Sequence, residues 1–396
     1  MAKMNNIEGV TNCFGCGACF LKCPKKAIKM EVNRLGQKQP EIDKNSCVNC
    51  GICKGVCPAF HNTSADETEV KSAYISVNTN ETMLMKSASG GISAALAYRW
   101  ILNGGYVCGA SGIAPSSVNE QFHVEHILLR SIEDIEKIQG SKYVQSDITK
   151  VLPEIENLLK QGSKILFFGT SCQVAGIKSY LGKNYENLVT CDLICHGVIG
   201  SQMFSNYLKH IERKEKNRLV DVSFRTKERE VPYTFTFTFT FTDKNNNHYK
   251  KLLDKNKSSY YRMFLGCIGY RKSCYECKFA SVDKPSDITL GDYYEAKDDY
   301  PELFETGKLN MSKGISSVII HSKKGRELFA QCNEDICSYS VDVNKIVSSH
   351  AQLQKPSKSK KGSILILQLY KMVGWSGVDR FYMIFDRVMS WIRKSN

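Results

Sequence analysis

The 396-residue sequence predicts an α+β chain: a small cysteine-rich module, then a larger mixed α/β domain, then an amphipathic C-terminal helix. Three observations predict it. Eight cysteines fall in two copies of one spacing within the first sixty residues, strand-like and helix-like segments alternate from about 71 to 350, and the last segment repeats its apolar residues at helical spacing.

In the first module, Cys13, Cys16, Cys19 and Cys23 read Cys-x-x-Cys-x-x-Cys-x-x-x-Cys-Pro, and Cys47, Cys50, Cys53 and Cys57 repeat the run, with Pro24 and Pro58 after the fourth cysteine. This is the ligand run of a bacterial-type ferredoxin with two 4Fe–4S cubanes. A cubane needs four converging thiolates. Three come from one tight loop, and in two-cluster ferredoxins the fourth crosses from the other run. The expected sets are therefore Cys13, Cys16, Cys19 and Cys57, and Cys47, Cys50, Cys53 and Cys23. Structural zinc favours paired Cys-x-x-Cys units, and disulfides suit oxidising compartments, so both readings fit less well. Gly15, Gly17, Ala18 and Gly51 let the loops turn their N–H groups toward sulfur. Ala27–Val32 and Gln37–Ile42 pair as strands around Asn33–Gly36.

The chain is too long for a lone ferredoxin, and no apolar stretch is long enough to span a membrane. The polar start MAKMNNIEGVTN and seventeen cysteines point to a cytoplasmic protein using metal and redox chemistry. The net charge of +14 favours acidic electron donors, phosphorylated ligands or anionic lipid, and no nucleic-acid motif is present. Three units follow: 1–62, the two-cluster module; 71–350, the main domain; and 351–396, a basic linker and helix. His61–Val70 is a polar linker.

Within the main domain, Lys164–Phe168 reads as a buried strand, the segment QVAGIKSYL as a helix stopped by Gly182, and Leu188–Ile194 as the next strand. Tyr233–Thr242 alternates strictly, placing Phe235, Phe237, Phe239 and Phe241 on one packed face, with a returning strand at His248–Leu253. Four later cysteines stand in suggestive contexts. Cys172 follows a strand at a helix N-terminus, where the dipole favours a thiolate. Cys195 closes a second strand, and Cys274 and Cys277 form a Cys-x-x-Cys. Strand ends on one side of such a sheet collect ligands, so these four read as a third cubane site. A lone Cys-x-x-Cys also suits zinc or a redox pair, and Cys172 with His196 is a nucleophile reading. Cys108, Cys191, Cys267, Cys332 and Cys337 read as buried small hydrophobes or stay unassigned.

Clusters move single electrons, whereas most organic reductions need two, which calls for a flavin. Ser87–Gly91, opening the helix ISAALAYRWIL, offers bare N–H groups to a phosphate or flavin carbonyl, or is simply a cap. Gly140–Tyr143 adds a hydroxyl, a cation and a ring beside a nucleotide. Asp287–Asp292 is a strand-turn-carboxylate unit or an ordinary turn. Gln352–Ser363 is a lysine-rich linker. Ser376 caps the last helix with Asp379 in its first turn, and Val378, Phe381, Tyr382, Phe385, Val388, Met389 and Ile392 share one face. Arg380, Arg387, Arg393 and Lys394 flank that face. Docking on the protein is the preferred reading, and a peripheral membrane helix with interfacial Trp375 and Trp391 is the alternative.

The motifs SASGG, GSKYVQS, ILFFGTSCQVAGIKSYL, CDLICHG, SFRTK, CYECKFA and SDITLGDYY occur in the order found in the family of the coenzyme F-420 hydrogenase/dehydrogenase beta subunit, which the chain resembles over approximately residues 1–340. That resemblance implies a larger mixed α/β flavin-binding domain behind the ferredoxin-like N-terminal module. It implies FAD, with Ser89, Gly90, Gly91, Ser141, Lys142 and Tyr143 at the flavin, and an iron–sulfur cluster on Cys172, Cys195, Cys274 and Cys277. Ser171 stands where the family usually has Pro, and Tyr294 where Trp is common. The chain also looks like stand-alone bacterial relatives that do not use the deazaflavin coenzyme, many resembling proteins of surface-polysaccharide biosynthesis.

The expected function is an iron–sulfur flavoprotein oxidoreductase. A low-potential donor such as a ferredoxin or flavodoxin feeds the paired clusters, and a third cluster and FAD serve an unidentified small-molecule or sugar-derived substrate. The rivals are an electron-transfer subunit without its own substrate, and a scaffold whose clusters only hold the fold.

Overall fold

The computed structural model describes residues 5–61, 71–117, 120–227 and 235–395, with side chains as far as 388. The linker after His61, Tyr233 and Thr234 of the aromatic run, and the side chains of Met389, Trp391, Ile392, Arg393 and Lys394 lie outside the described residues.

Strands β1 (Ile28–Val32) and β2 (Lys38–Ile42) pair antiparallel, with Ile28 opposite Ile42, as the two apolar-polar runs predict. There follow β3 (Ser72–Asn78), β4 (Tyr106–Ile113), β5 (His123–Leu129), β6 (Ile165–Thr170), β7 (Leu188–Leu193), β8 (Arg218–Ser223), β9 (Thr236–Thr242), β10 (His248–Asp254), β11 (Ile288–Asp292), β12 (Ser316–Ile320) and β13 (Ile336–Val341). Among the described residues, eight of these form one mixed sheet in the order β13-β3-β12-β11-β7-β6-β4-β5. Its centre, β4, β6, β7 and β11, is parallel, and the flanking pairs are antiparallel. Parallel strands are covered by layers on both faces and need continuous apolar runs. Ile165, Leu166 and Phe167 of β6 meet this, all with no exposed surface.

β6 leads into the helix Ser171–Leu181 through a reciprocal cap between Thr170 and Gln173, and Gly182, at φ 69°, ends the helix in the left-handed region. The loops after β6, β7 and β11 and the turn after β3 thus emerge along one edge of the sheet.

A second core surrounds the antiparallel sheet β8-β9-β10. Phe237, Phe239 and Phe241 are buried against Tyr207, Tyr260 and Tyr261, while Thr236 and Thr238 on the other face are buried as well. The last helix belongs to this core. It spans Ser363–Ser395 as two helical segments separated at Gly374 (φ 64°, ψ −161°); the second starts just after Gly374, close to the predicted Ser376, and the first, from Ser363, is an additional helix in the stretch before it. Ser376 does not act as the predicted cap; its hydroxyl lies 3.2 Å from His210 Nδ1. Trp375 is 2% exposed, and its indole N–H donates to the Met203 carbonyl at 2.9 Å, so it is a core residue and not an interfacial one. The preceding lysine-rich stretch is pinned: Ser357 Oγ donates to the His196 carbonyl and Lys360 N–H to the Gly266 carbonyl.

Candidate redox centres

The cysteine loops turn where glycine permits it. Gly17 and Gly51 sit at φ 77° and 81°, each immediately before a one-turn helix that carries a cysteine of its run. Backbone N–H groups then face sulfur: Gly15 N–H to Cys13 Sγ at 3.2 Å and Ala27 N–H to Cys23 Sγ at 3.3 Å. One cavity is lined by Cys13, Cys16, Cys19 and Cys57, and a second by Cys23, Cys47, Cys50 and Cys53. The fourth cysteine of each run crosses to the other set. An all-thiol set standing around a cavity is the donor arrangement of a 4Fe–4S cluster. Among the described residues, no three His, Cys, Asp or Glu side chains form a single-ion site.

The two cavities differ in depth. The Cys23 set includes exposed Cys50, with Val48 and Ile52 exposed beside it. The Cys13 set faces inward, and burial pushes the Cys16 thiol up to about 12 and Cys19 higher still. Buried thiols at such values carry protons; a cluster held by these cysteines would require them as thiolates, and its iron would supply the charge that offsets burying them.

The module is built into the main domain. Arg271, almost fully buried, donates through Nε and Nη2 to the Cys13 carbonyl at 3.2 and 3.1 Å. It also donates to the Lys38 carbonyl at 2.6 Å and to Gln145 Oε1 at 2.9 Å. Ser273 Oγ donates to the same Cys13 carbonyl at 3.0 Å. Lys22 pairs with Glu156 at 3.2 Å, and Lys38 with Asp147. Backbones touch directly: a Cβ on Gly200 would lie 1.9 Å from the Leu35 carbonyl oxygen.

Cys172, Cys195, Cys274 and Cys277 come together where β6 and β7 end. Burial raises the Cys172 thiol well above its ordinary value, and the charges of Cys195, Cys277 and Cys274 raise it further. Burial, then Cys274 and Cys277, pushes Cys195 up to about 12. The helix dipole expected to favour a Cys172 thiolate is outweighed by burial. His196, the partner in the nucleophile reading, has its Nδ1 at 2.8 Å from the Tyr270 hydroxyl and 3.8 Å from Cys267 Sγ.

Between this set and the inner ferredoxin cavity lies a small apolar contact. Phe14, which lines that cavity, packs on Phe279 with ring centres 5.4 Å apart, and Ala175, Cys172 and Cys277 complete the cluster. Sequence reasoning passed over both rings, although Phe14 lies inside the first cysteine run and Phe279 two residues past Cys277.

The loops named for the flavin gather on the same sheet edge. Ser89 Oγ donates to the Ile315 carbonyl at 2.8 Å, and Gly90 N–H to Ser316 Oγ at 3.0 Å. A Cβ on Gly90 would lie 2.5 Å from the Ser76 carbonyl oxygen, so strand packing alone explains that glycine. Gly91, at φ 76°, precedes Ile92–Leu102, whose N-terminus bears no side-chain cap. Lys142, half-buried, donates to the Gln139 carbonyl at 2.7 Å, and desolvation lowers its amine to about 7. The Tyr143 ring packs on Phe224, Phe235, Tyr261 and Phe264. Two residues of SFRTK tie these loops together: Lys227 Nζ donates to the Ser89 and Leu84 carbonyls, and Arg225 pairs with Asp292 at 2.8 Å beside Tyr143. Asp287–Asp292 is no ordinary turn. It forms β11, with Asp287 accepting from Thr190 and Ser322.

Residues 162–345 match the family described as the C terminus of the coenzyme F420 hydrogenase/dehydrogenase beta subunit, and residues 12–60 match the 4Fe-4S dicluster domain. The chain is 26% identical over 168 residues to the F subunit of the F(420)H(2) dehydrogenase of Methanosarcina mazei, a match that covers 41% of this chain and 46% of the relative. It therefore spans about half of that relative's length. The F420-reducing NiFe hydrogenase complex from Methanosarcina barkeri aligns with TM-score 0.42 and 14% identity, over 78% of this chain and 93% of the matched chain.

Proposed function

We propose that the chain is an iron–sulfur flavoprotein oxidoreductase, because residues 162–345 match the family described as the C terminus of the coenzyme F420 hydrogenase/dehydrogenase beta subunit and residues 12–60 match the 4Fe-4S dicluster domain. In this reading Cys23, Cys47, Cys50 and Cys53 hold an outer cluster at the surface, and Cys13, Cys16, Cys19 and Cys57 hold an inner one. Cys172, Cys195, Cys274 and Cys277 hold a third. Phe14 and Phe279 fill the gap between the inner and third sets and keep water out of it. The loops Ser89–Gly91 and Ser141–Tyr143, gathered by Arg225 and Lys227, hold FAD. Each cluster carries one electron at a time, and a flavin joins two such steps into a two-electron transfer to or from a substrate.

What supports the reading is that four cysteines line each of two cavities in the module, one including exposed Cys50, while four more meet at the strand ends beyond the Phe14–Phe279 contact, across a joint held by Arg271. Residues 5–61 carry eight Lys and Arg against four Asp and Glu, which suits an acidic low-potential donor such as a ferredoxin or flavodoxin. The resemblance to polysaccharide-associated relatives favours a sugar-derived substrate. The test is anaerobic mixing with a reduced one-electron dye. The iron–sulfur band should bleach first and the flavin band second, with the second phase abolished in Cys277→Ala. Flavin reduction that proceeds unchanged in that variant overturns the reading.

A second reading is an electron-transfer subunit that feeds a partner, favoured by the relative's own name as a subunit of a dehydrogenase. Turnover of an acceptor by the isolated protein would exclude it.

A further inference from the structure

The last helix docks with one face and leaves another unused. Tyr370, Trp375 and Val378 are buried in the aromatic core, and Tyr382 packs against it. Both acids of this segment are partnered by the body: Asp379 lies 2.7 Å from His210 Nε2 and pairs with Lys214 at 2.7 Å, and Asp386 pairs with Arg262 at 2.7 Å. The side away from the body carries Ile364 at 77% exposure, Leu365 at 62% and Met372 at 81%. Met383, Ile384 and Val388, each about half exposed, follow beyond the break at Gly374. Lys371, Arg380 and Arg387 stand exposed among them.

Two segments that dock by one face onto one body present their opposite faces on one side. That side is apolar in its rows and cationic between them. The C-terminal segment as a whole is basic: residues 355–396 hold nine Lys and Arg against Asp379 and Asp386, a net +7 out of the chain's +14, of which Lys371, Arg380 and Arg387 stand on the exposed part of the helix. A soluble surface normally scatters its large apolar side chains singly, and a contiguous apolar stripe marks a binding face. Among the described residues, no helix is long and apolar enough to cross a membrane.

We propose that the outer face of the last helix binds the surface of an anionic lipid membrane. Ile364, Leu365, Met372, Met383 and Ile384 enter the headgroup boundary, and Lys371, Arg380 and Arg387 meet lipid phosphates. The docked face stays on the aromatic core throughout, so binding holds the whole enzyme at the surface without unfolding it. This inference is independent of the flavin and third-cluster assignments.

The test is flotation of the full chain with vesicles of phosphatidylcholine alone, and of an equal mixture with phosphatidylglycerol. The expected result is flotation with the anionic vesicles only, weakened at high salt. Replacing Ile364, Leu365, Met383 and Ile384 by Ser should lower vesicle affinity about ten-fold or more, with iron content and Trp emission unchanged. Lys371→Glu with Arg387→Glu reads the charge separately and should lose at least as much. The proposal is overturned if the wild type floats with neither vesicle, or if both variants float as the wild type does. It is equally overturned if sedimentation shows a lipid-independent dimer that the four-serine variant abolishes, which would make the face a protein interface.

Discussion

Replacing Arg271 by methionine tests whether the ferredoxin module and the main domain form one rigid conductor. The substitution keeps the aliphatic stem and removes the guanidinium that bonds the Cys13 and Lys38 carbonyls and Gln145 Oε1. Ser273 still serves the Cys13 carbonyl, which leaves two acceptors without this donor. Each buried acceptor left unsatisfied costs about 1–3 kcal/mol, and part is regained because a buried cation no longer needs desolvating. A net loss of about 3 kcal/mol follows, roughly a hundred-fold in the equilibrium for opening the joint. The assay is thermal unfolding followed at the iron–sulfur absorbance, with released iron measured in parallel. In Arg271→Met the absorbance should fall roughly 5 °C earlier than in the wild type, and part of the iron should leave before the aromatic core melts. A variant that melts and releases iron as the wild type does would refute the idea of a fixed joint.

Other expectations follow from the same contacts. Gly200→Ala, whose Cβ would lie 1.9 Å from the Leu35 carbonyl, should destabilise the docked module by about 1–3 kcal/mol in denaturant titration, whereas Gly55→Ala, with open space around it, should change little. Cys274→Ala with Cys277→Ala should remove about a third of the bound iron by colorimetric assay and leave the ferredoxin-type signals intact, four iron belonging to each cluster. Burial pulls Asp379 up, but hydrogen bonds from His210 and Lys214 outweigh it and hold the carboxyl at about 2, against 3.8 for a free one. This depressed group stabilises helix docking above pH 3.8, and the stability is lost as pH falls toward 2. Emission from Trp375 should accordingly shift red over that window, and the shift should be absent in Asp379→Asn, already weakened at neutral pH.

The sequence made the ligand sets legible because cluster chemistry demands fixed residue types at fixed spacing. The crossed pairing of Cys23 and Cys57 follows from that demand and is what the cavities show. The helix Ser171–Leu181 was equally plain, since a cap at one end and Gly182 at the other are local signals. What stayed hidden depends on contacts between distant segments. Arg271 reads as an ordinary surface arginine until it meets Cys13, 258 positions earlier. Phe14 and Phe279 become a pair only once the module docks. The helical segment before Gly374 stayed hidden because Ile366, Leu367 and Tyr370 are held by the aromatic core, which no local cap announces. The dipole argument for Cys172 failed for a related reason, since burial is a property of the assembled sheet edge.

The central claim is that three four-thiol sets and one flavin site lie in a single chain. Iron, sulfide and flavin quantitation on anaerobically purified protein addresses it most directly. The expected result is about 12 iron and 12 sulfide per FAD, four of each per cluster. A value near eight iron per chain would remove the third cluster, and protein that carries no flavin when reconstituted with FAD would contradict the claim outright.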